Sequence, residues 1–424
     1  MELQALTILI PIFFMFYAVF KNKTITNLQF ILNCLWFFIL FFVNVNVLDN
    51  FPIKEIVMQL TFLFLLVFNV GYAIAAMPLS TNQLDSQFVI KKPKQEINIK
   101  FIWVCTLFVL AYYLLLTYRA INFYRANPGI TMYDIRYEYF HGNNIIKSNL
   151  EYVINNFFIG GIYKFLLIFF VYNIVQYKNT WIGIAIFLII VLQMFFSGGR
   201  WDLVMLVLLL VISMIKYRKE LAKKTKTIMG VLIALSLLLV VIVSIQRGVT
   251  GIIKQGISYY VSPLVFVGEV MEKYGFEVVG YGRIVFAPIY DFIINALRLF
   301  DLTDVNTAAV IVTELTSGFL PVSPTVSFNA MIPIYMFFYL DSGIIGVLLY
   351  STLMGIIFGL VEKKMKRTAG IRTEILWFAF IIVVLRSSQT YYFMSINNLA
   401  FFMCVIFMAK KCKSKNVSKE INIK

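Results

Sequence analysis

Residues 228–246, IMGVLIALSLLLVVIVSIQ, are nineteen consecutive residues without one charge. A helix needs about 20 mostly apolar residues to cross a hydrocarbon core roughly 30 Å thick, since each residue rises about 1.5 Å. Six basic residues crowd 216–227 just before this run, and Arg247 follows it. An apolar run with a strongly basic flank predicts a membrane span whose basic end is cytoplasmic. Composition extends that reading to the whole chain. Of its 424 residues, 61% are hydrophobic and 14% charged, against about 45–50% and about 25% in soluble domains. A water-soluble enzyme, a disordered chain and a disulfide-rich secreted chain are thereby excluded.

Ten more runs follow the same rule: 3–20, 29–48, 56–78, 101–118, 156–176, 181–196, 201–215, 340–360, 373–390 and 396–409. The expected fold is an all-α polytopic integral membrane protein with about eleven transmembrane helices, range 10–13, forming a single domain over 1–424. The first run lacks a basic start and a small-residue cleavage site, so it is expected to stay as a span. Loops 21–28, 79–100, 177–180, 216–227 and 361–372, with the tail 410–424, carry 24 of the 37 basic residues; the opposite side carries 12, and Lys164 falls inside a span. This asymmetry places the amino terminus outside and the carboxyl terminus in the cytoplasm. The net charge of +16 then belongs to cytoplasmic loops, and no nucleic-acid partner is expected.

Two outer segments are long, 119–155 and 247–339, and unstructured loops of such length are uncommon unless functional. In the second, 258–270 and 284–300 are semi-apolar and fit re-entrant or interface-lying helices. The apolar stretch that follows Ser323-Pro324-Thr325-Val326-Ser327-Phe328-Asn329 and runs on to Leu360, roughly thirty residues, is too long for one straight span. Asp341 and Gly343 mark a break: an interfacial helix outside, then the span from about Ser342, with Asp341 as its amino-terminal cap.

The chemistry is defined first by what is missing. There is no P-loop and only one histidine, His141, expected to be a surface residue. Cys34, Cys105, Cys404 and Cys412 have no metal-ligand spacing. No metal and no cofactor are expected. Glu269 and Glu272 can share a helix face, as a solvated face or as a carboxylate site. The turn Ser197-Gly198-Gly199-Arg200-Trp201 is tight and rich in glycine. Arg200 there either snorkels to headgroups beside a belt tryptophan or forks onto phosphate oxygens. The outer side is also biased towards arginine. Eight of its 12 basic residues are Arg119, Arg125, Arg136, Arg200, Arg247, Arg283, Arg298 and Arg386, whereas the inner 24 include only Arg218, Arg367 and Arg372. Topology needs positive charge of either kind; planar recognition of phosphate wants arginine. Pairing with the outer loop's carboxylates is the competing explanation. Lys164 needs a partner at membrane depth.

The Ser197–Arg200 turn before a leucine-rich span, the Tyr339-x-Asp341-x-Gly343-x-x-Gly346 pattern, and the dominant outer loop before the last spans resemble the Wzy-type O-antigen or oligosaccharide repeat-unit polymerases. Where the family often carries Phe, this chain carries Ser342. The resemblance implies a metal-independent glycosyltransferase of the bacterial cytoplasmic membrane. It would join undecaprenyl-pyrophosphate-linked oligosaccharides at the outer face into O-antigen, capsule or exopolysaccharide, beside a flippase and a chain-length regulator. Arg200, Arg247, Arg283, Arg298 and Arg386 would hold the pyrophosphate; Glu314, then Glu269 and Asp291, would serve the acceptor hydroxyl. Tyr259, Tyr260 and Tyr281 would stack on sugars, while Gly198, Gly199, Asp341 and Gly343 would shape turns. The alternatives are a flippase, which wants buried charges and repeats, and an O-antigen ligase.

Reporter fusions test the topology: those at residues 220 and 415 should report cytoplasm, and one at residue 300 the outside. The opposite pattern inverts the arrangement.

Overall fold

The computed structural model describes all residues except 1, 23, 77–94, 198, 247–250, 276, 299, 330, 369 and 412–424. In chain order the helices are α1 (Glu2–Asn22), α2 (Leu28–Val45), α3 (Glu55–Ala76), α4 (Ile99–Ala126), α5 (Met132–His141), α6 (Asn149–Ile154), α7 (Gly160–Tyr172), α8 (Thr180–Ser197), α9 (Trp201–Lys216) and α10 (Lys223–Gln246). Then come α11 (Ile252–Tyr274), α12 (Ala287–Arg298), α13 (Ala308–Thr316), α14 (Ile334–Thr368), α15 (Ile371–Leu385) and α16 (Asn397–Phe407). Wider π-turns at Asn155–Ile159 and Asn173–Tyr177 make α6 and α7 one continuous rod. Two small antiparallel pairs complete the fold. Strand β1 (Gln95–Ile97) pairs with β4 (Ala409–Lys411), and β2 (Leu320–Ser323) forms a hairpin with β3 (Val326–Phe328).

Among the described residues, seven helices are long and apolar enough to cross a membrane: Leu28–Val45, Glu55–Ala76, Ile99–Ala126, Leu150–Tyr177, Thr180–Ser197, Lys223–Ile245 and Ile334–Lys366. Leu6–Lys21 and Asn397–Phe407 are shorter apolar helices. This is an all-α membrane protein. Helices dominate because a span must satisfy its backbone N–H and C=O groups internally. The segment 119–155 is more ordered than a loop: α4 runs on to Ala126, and α5 and α6 follow. The semi-apolar stretches of the second segment lie in α11 and α12.

The tightest pairing joins α3 to α14. A Cβ on Gly355 would overlap the Phe68 carbonyl oxygen, and one on Gly71 would overlap that of Thr352. A Cβ on Gly359 would sit 2.8 Å from the Tyr72 carbonyl oxygen. Gly355 and Gly359 are a small-xxx-small pair that lets two backbones touch. An amide cluster ties α2 to this pair. Asn33 and Asn69 exchange hydrogen bonds of 2.8 and 3.0 Å, and Gln29 Nε2 donates to Asn69 Oδ1 at 3.0 Å. At the lysine-rich end, buried Glu362 accepts from Trp377 Nε1 (3.0 Å) and from the Leu28 N–H (3.3 Å) at the start of α2. Helix α10 is the least buried of the long apolar helices described, packing along α9 and against the 173–177 π-turn.

The α14 break falls at Ser342 (φ −152°, ψ 23°) and Gly343 (φ +64°, ψ −151°). The preceding segment, expected as an exposed interfacial helix, is instead buried from Ile334 to Phe338. Its polar tip has a partner, since Thr61 donates to the Tyr335 hydroxyl at 2.9 Å. The Tyr335 ring also packs 5.9–6.1 Å from Phe64 and Trp36, so burial leaves nothing unpaired there. Asp341 caps a different chain segment from the one expected: its Oδ1 accepts from the Ile284 N–H at 2.8 Å. Tyr281 N–H donates to its carbonyl at 2.8 Å. The kink thus anchors the 279–285 segment that leads into α12.

Replacing Gly355 with Leu should force α3 and α14 apart and lower stability by about 1–3 kcal/mol. The measurement is the thermal unfolding midpoint in detergent; an unchanged midpoint would contradict the interlocked packing.

Candidate functional site

The Ser197–Trp201 turn closes on itself, with Ser197 Oγ accepting from the Gly199 N–H at 3.1 Å. That geometry delivers Arg200 to the start of α9. Its guanidinium donates to Ser244 Oγ on α10 (2.7 Å) and to Gln255 Oε1 on α11 (2.8 Å). Both partners are neutral, so the hydrogen bonds fix the group without cancelling its charge. Ion pairs join Lys54 to Glu269 and Glu272, and Arg119 to Glu151; Arg200 takes part in none of these.

Arg200 stands on the wall of a cavity of about 550 Å³ between α2, α9, α10 and α11. Most of its lining is apolar, including Leu35, Phe38, Ile39, Val204, Leu208 and Val240. Phe38 is half exposed, so this wall reaches the bundle's lipid-facing surface. Trp201 packs 5.6 and 5.8 Å from Tyr259 and Tyr260 at the polar end.

A second cavity of about 1120 Å³ adjoins the first, and both are lined by Arg136, Gln255, Tyr259 and Met331. Its character is different. Tyr133, Tyr137, Tyr152, Phe319 and Phe328 supply aromatic faces, and Asp49, Lys254, Ser327 and Asn329 supply polar groups. Three elements build it. Helix α5 is held by Asp134, whose carboxylate accepts the Thr131 N–H at 2.7 Å; those bonds hold the Asp134 carboxyl below the usual range. The β2–β3 hairpin brings Phe328 within 5.9 Å of Phe266. The α2–α3 connection docks on that hairpin through the Phe51 N–H, which donates to the Val322 carbonyl at 2.8 Å. Three cations, Arg136, Arg200 and Lys254, face one carboxylate, Asp49, across the joined cavities. Such a surplus in a partly dry site favours an anion.

The arginines nominated by sequence divide. Arg200 and its neighbour Gly199 line the apolar cavity. Arg283 leans over the Tyr290 ring at 5.9 Å, and Arg298 donates to the Val305 carbonyl at 2.7 Å; neither lines either of these two cavities. Arg386 caps α15 beside Leu385, which lines the apolar cavity, and sits 5.8 Å from the Tyr392 ring. It lies within electrostatic reach of half-buried Asp202, which accepts from the Tyr163 hydroxyl at 3.0 Å. Lys164 belongs to the same cluster, donating to Asn398 Oδ1 at 3.2 Å above the Tyr392 ring. Arg247 and Gly198 lie outside the described residues.

The nominated carboxylates sit away from both cavities. Glu314 is exposed on α13, and Glu269 lies 3.5 Å from Lys54. Asp291 is buried and caps α13, accepting from the Ala308 N–H at 2.7 Å; burial pushes its carboxyl above the usual range against the pull of those amides. Tyr259 and Tyr260 line the apolar cavity, but exposed Tyr281 does not. Gly343 forms the α14 kink. His141 lines the larger cavity, its ring 5.0 Å from that of Tyr137. Sequence reasoning did not single out Arg136, Gln255, Lys254 or Asp49 for the site. The signal for Arg136 was available in the interleaved aromatics and charges of 133–141.

No protein-family model, curated protein or solved structure matches the chain.

Asp291→Ala should lower stability by about 0.5–2 kcal/mol, the cost of a lost cap, read as a lower unfolding midpoint in detergent. Glu314→Gln should leave it unchanged. Equal effects would remove the distinction between the two carboxylates.

Proposed function

We propose that the protein polymerises lipid-pyrophosphate-linked oligosaccharide repeat units at the outer face of a bacterial cytoplasmic membrane. The observation that carries this reading is the order of environments along the joined cavities. An apolar cavity at the bundle surface leads to a cationic junction at Arg136 and Arg200, and then to a larger chamber of aromatic and polar groups. A polyprenyl diphosphate sugar has the same order: hydrocarbon, anion, carbohydrate. Apolar walls take the lipid chain, forked guanidinium groups take phosphate oxygens, and tyrosine faces stack on sugar rings.

The chemistry is a displacement at the anomeric carbon. A hydroxyl of the acceptor repeat unit attacks, its oxygen bonds to carbon, and the bond to the diphosphate oxygen breaks with its electron pair. Negative charge grows on the leaving diphosphate. Arg200 and Arg136 stabilise that charge, and preorganised donors act most strongly where water is excluded. Ser244 and Gln255 hold Arg200 in place beforehand, so little reorganisation is needed at reaction. The cavities' position, beside the long 247–333 segment and away from the lysine-rich ends, fits a reaction at the outer face.

Arg200→Ala and Arg136→Ala should leave the protein inserted yet cut chain lengthening about 10²–10³-fold, the usual cost of losing one such donor. Lipid carrying single repeat units should accumulate. Arg200→Lys should rescue poorly, because it keeps charge and loses the fork. Surface-polysaccharide length on a gel is the readout. Normal long chains in both alanine variants would remove this assignment; loss of all polymer together with its lipid-linked precursor at the outer face would favour a flippase.

A further inference from the structure

From the larger cavity we infer that Asp49 is the general base that takes the proton of the acceptor hydroxyl, with Asn50 beside it as the donor that orients the same sugar. The inference rests on the polymerase reading and adds the residue that the sequence left unassigned. Four observations carry it. First, Asp49 is the one carboxylate, among the described residues, that lines either cavity. The nominated acids are engaged or placed elsewhere: Asp291 caps α13, Glu269 neighbours Lys54, and Glu314 projects from α13 outside both cavities.

Second, the Asp49 side chain has no hydrogen bond or ion pair with another described residue, so its oxygens are available to an incoming hydroxyl. Third, Asn50 stands between the same cavity and a smaller one of about 230 Å³ beside it, and its Nδ2 is buried without a protein partner among the described residues. A buried donor left open in this way needs an occupant. Adjacent acceptor and donor groups match vicinal hydroxyls on a sugar ring. Fourth, the backbone presents the pair deliberately. Asn46 adopts the left-handed conformation (φ +49°), Asp49 does so again (φ +53°), and the Asp49 N–H donates to the Asn46 carbonyl at 3.2 Å. The docking of Phe51 on Val322 then fixes this turn against the hairpin that forms another wall.

The proton balance is simple. The hydroxyl proton passes to the Asp49 carboxylate as the hydroxyl oxygen bonds to the anomeric carbon. The electron pair of the broken bond leaves on the diphosphate, and Asp49 returns its proton to water. Asp49 stands on the α2–α3 connection, and the leaving-group cations stand on α5 and at the start of α9. Separate elements thus serve the two ends of the reaction.

The test uses full-length protein in liposomes, supplied with lipid-linked oligosaccharide extracted from cells lacking the gene. Asp49→Asn is the informative variant, because asparagine keeps both the size and the tolerance for left-handed backbone. It should lower kcat about 10²–10⁴-fold, the range for a lost general base, with KM within threefold and an unchanged unfolding midpoint. Asp49→Glu should recover part of the rate. Asn50→Ala should instead raise KM. Asp49→Ser replaces Asp49→Asn if the latter gives no monodisperse protein. A wild-type rate in the Asp49 variant, or a loss confined to KM, overturns the assignment while polymerisation stands. No lengthening by the wild type would overturn the polymerase reading itself.

Discussion

Two helix backbones in contact set the frame of this protein. Along α3 and α14, Gly71, Gly355 and Gly359 leave no room for a side chain, and main chain packs on main chain. Lipid tails are as apolar as leucine, so burial alone cannot hold spans together, and close packing with a few polar links must do so. The Asn33–Asn69–Gln29 cluster adds α2 to the pair, and Glu362 adds α15 through Trp377. With α14 fixed, its kink at Ser342 and Gly343 becomes a fixed point from which Asp341 holds the 279–285 segment. The hairpin at 320–328 in turn receives the α2–α3 connection. The cavities are what remains between the elements so placed.

Much of the architecture was legible in the chain. Each apolar run accepted as a span overlaps a helix among the described residues, because length and hydropathy are local properties. Seven of these helices are long and apolar enough to cross on those grounds alone. The break near Asp341 was legible too, since an aspartate followed by a glycine interrupts an otherwise apolar stretch. The depth of residues 334–338 was not. Their burial depends on Thr61, Trp36 and Phe64, hundreds of positions away, and no periodicity in the segment reports them.

The site was half legible. Arginine bias on one side of the chain drew attention to Arg200, and the Ser197–Trp201 turn does place it on a cavity wall. The bias could not separate Arg200 from Arg283 and Arg298, whose partners Tyr290 and the Val305 carbonyl belong to local folding of the 279–305 segment. The carboxylates show the same limit. Asp291 looks like an acid in a long outer loop, yet its oxygens receive the α13 amides. Asp49 looks like a residue in a short connection, yet that connection folds over the larger cavity. Loop membership is visible in sequence; which loop closes over which space is a property of the assembled bundle.

Helix α10 gives this arrangement a mechanical side. It leans chiefly on α9 and the neighbouring π-turn, and it carries Ser244, one of the two groups that steady Arg200. Any outward displacement of α10 would draw that hydroxyl off the guanidinium, so the aim of Arg200 is only as steady as the seating of α10 on α9.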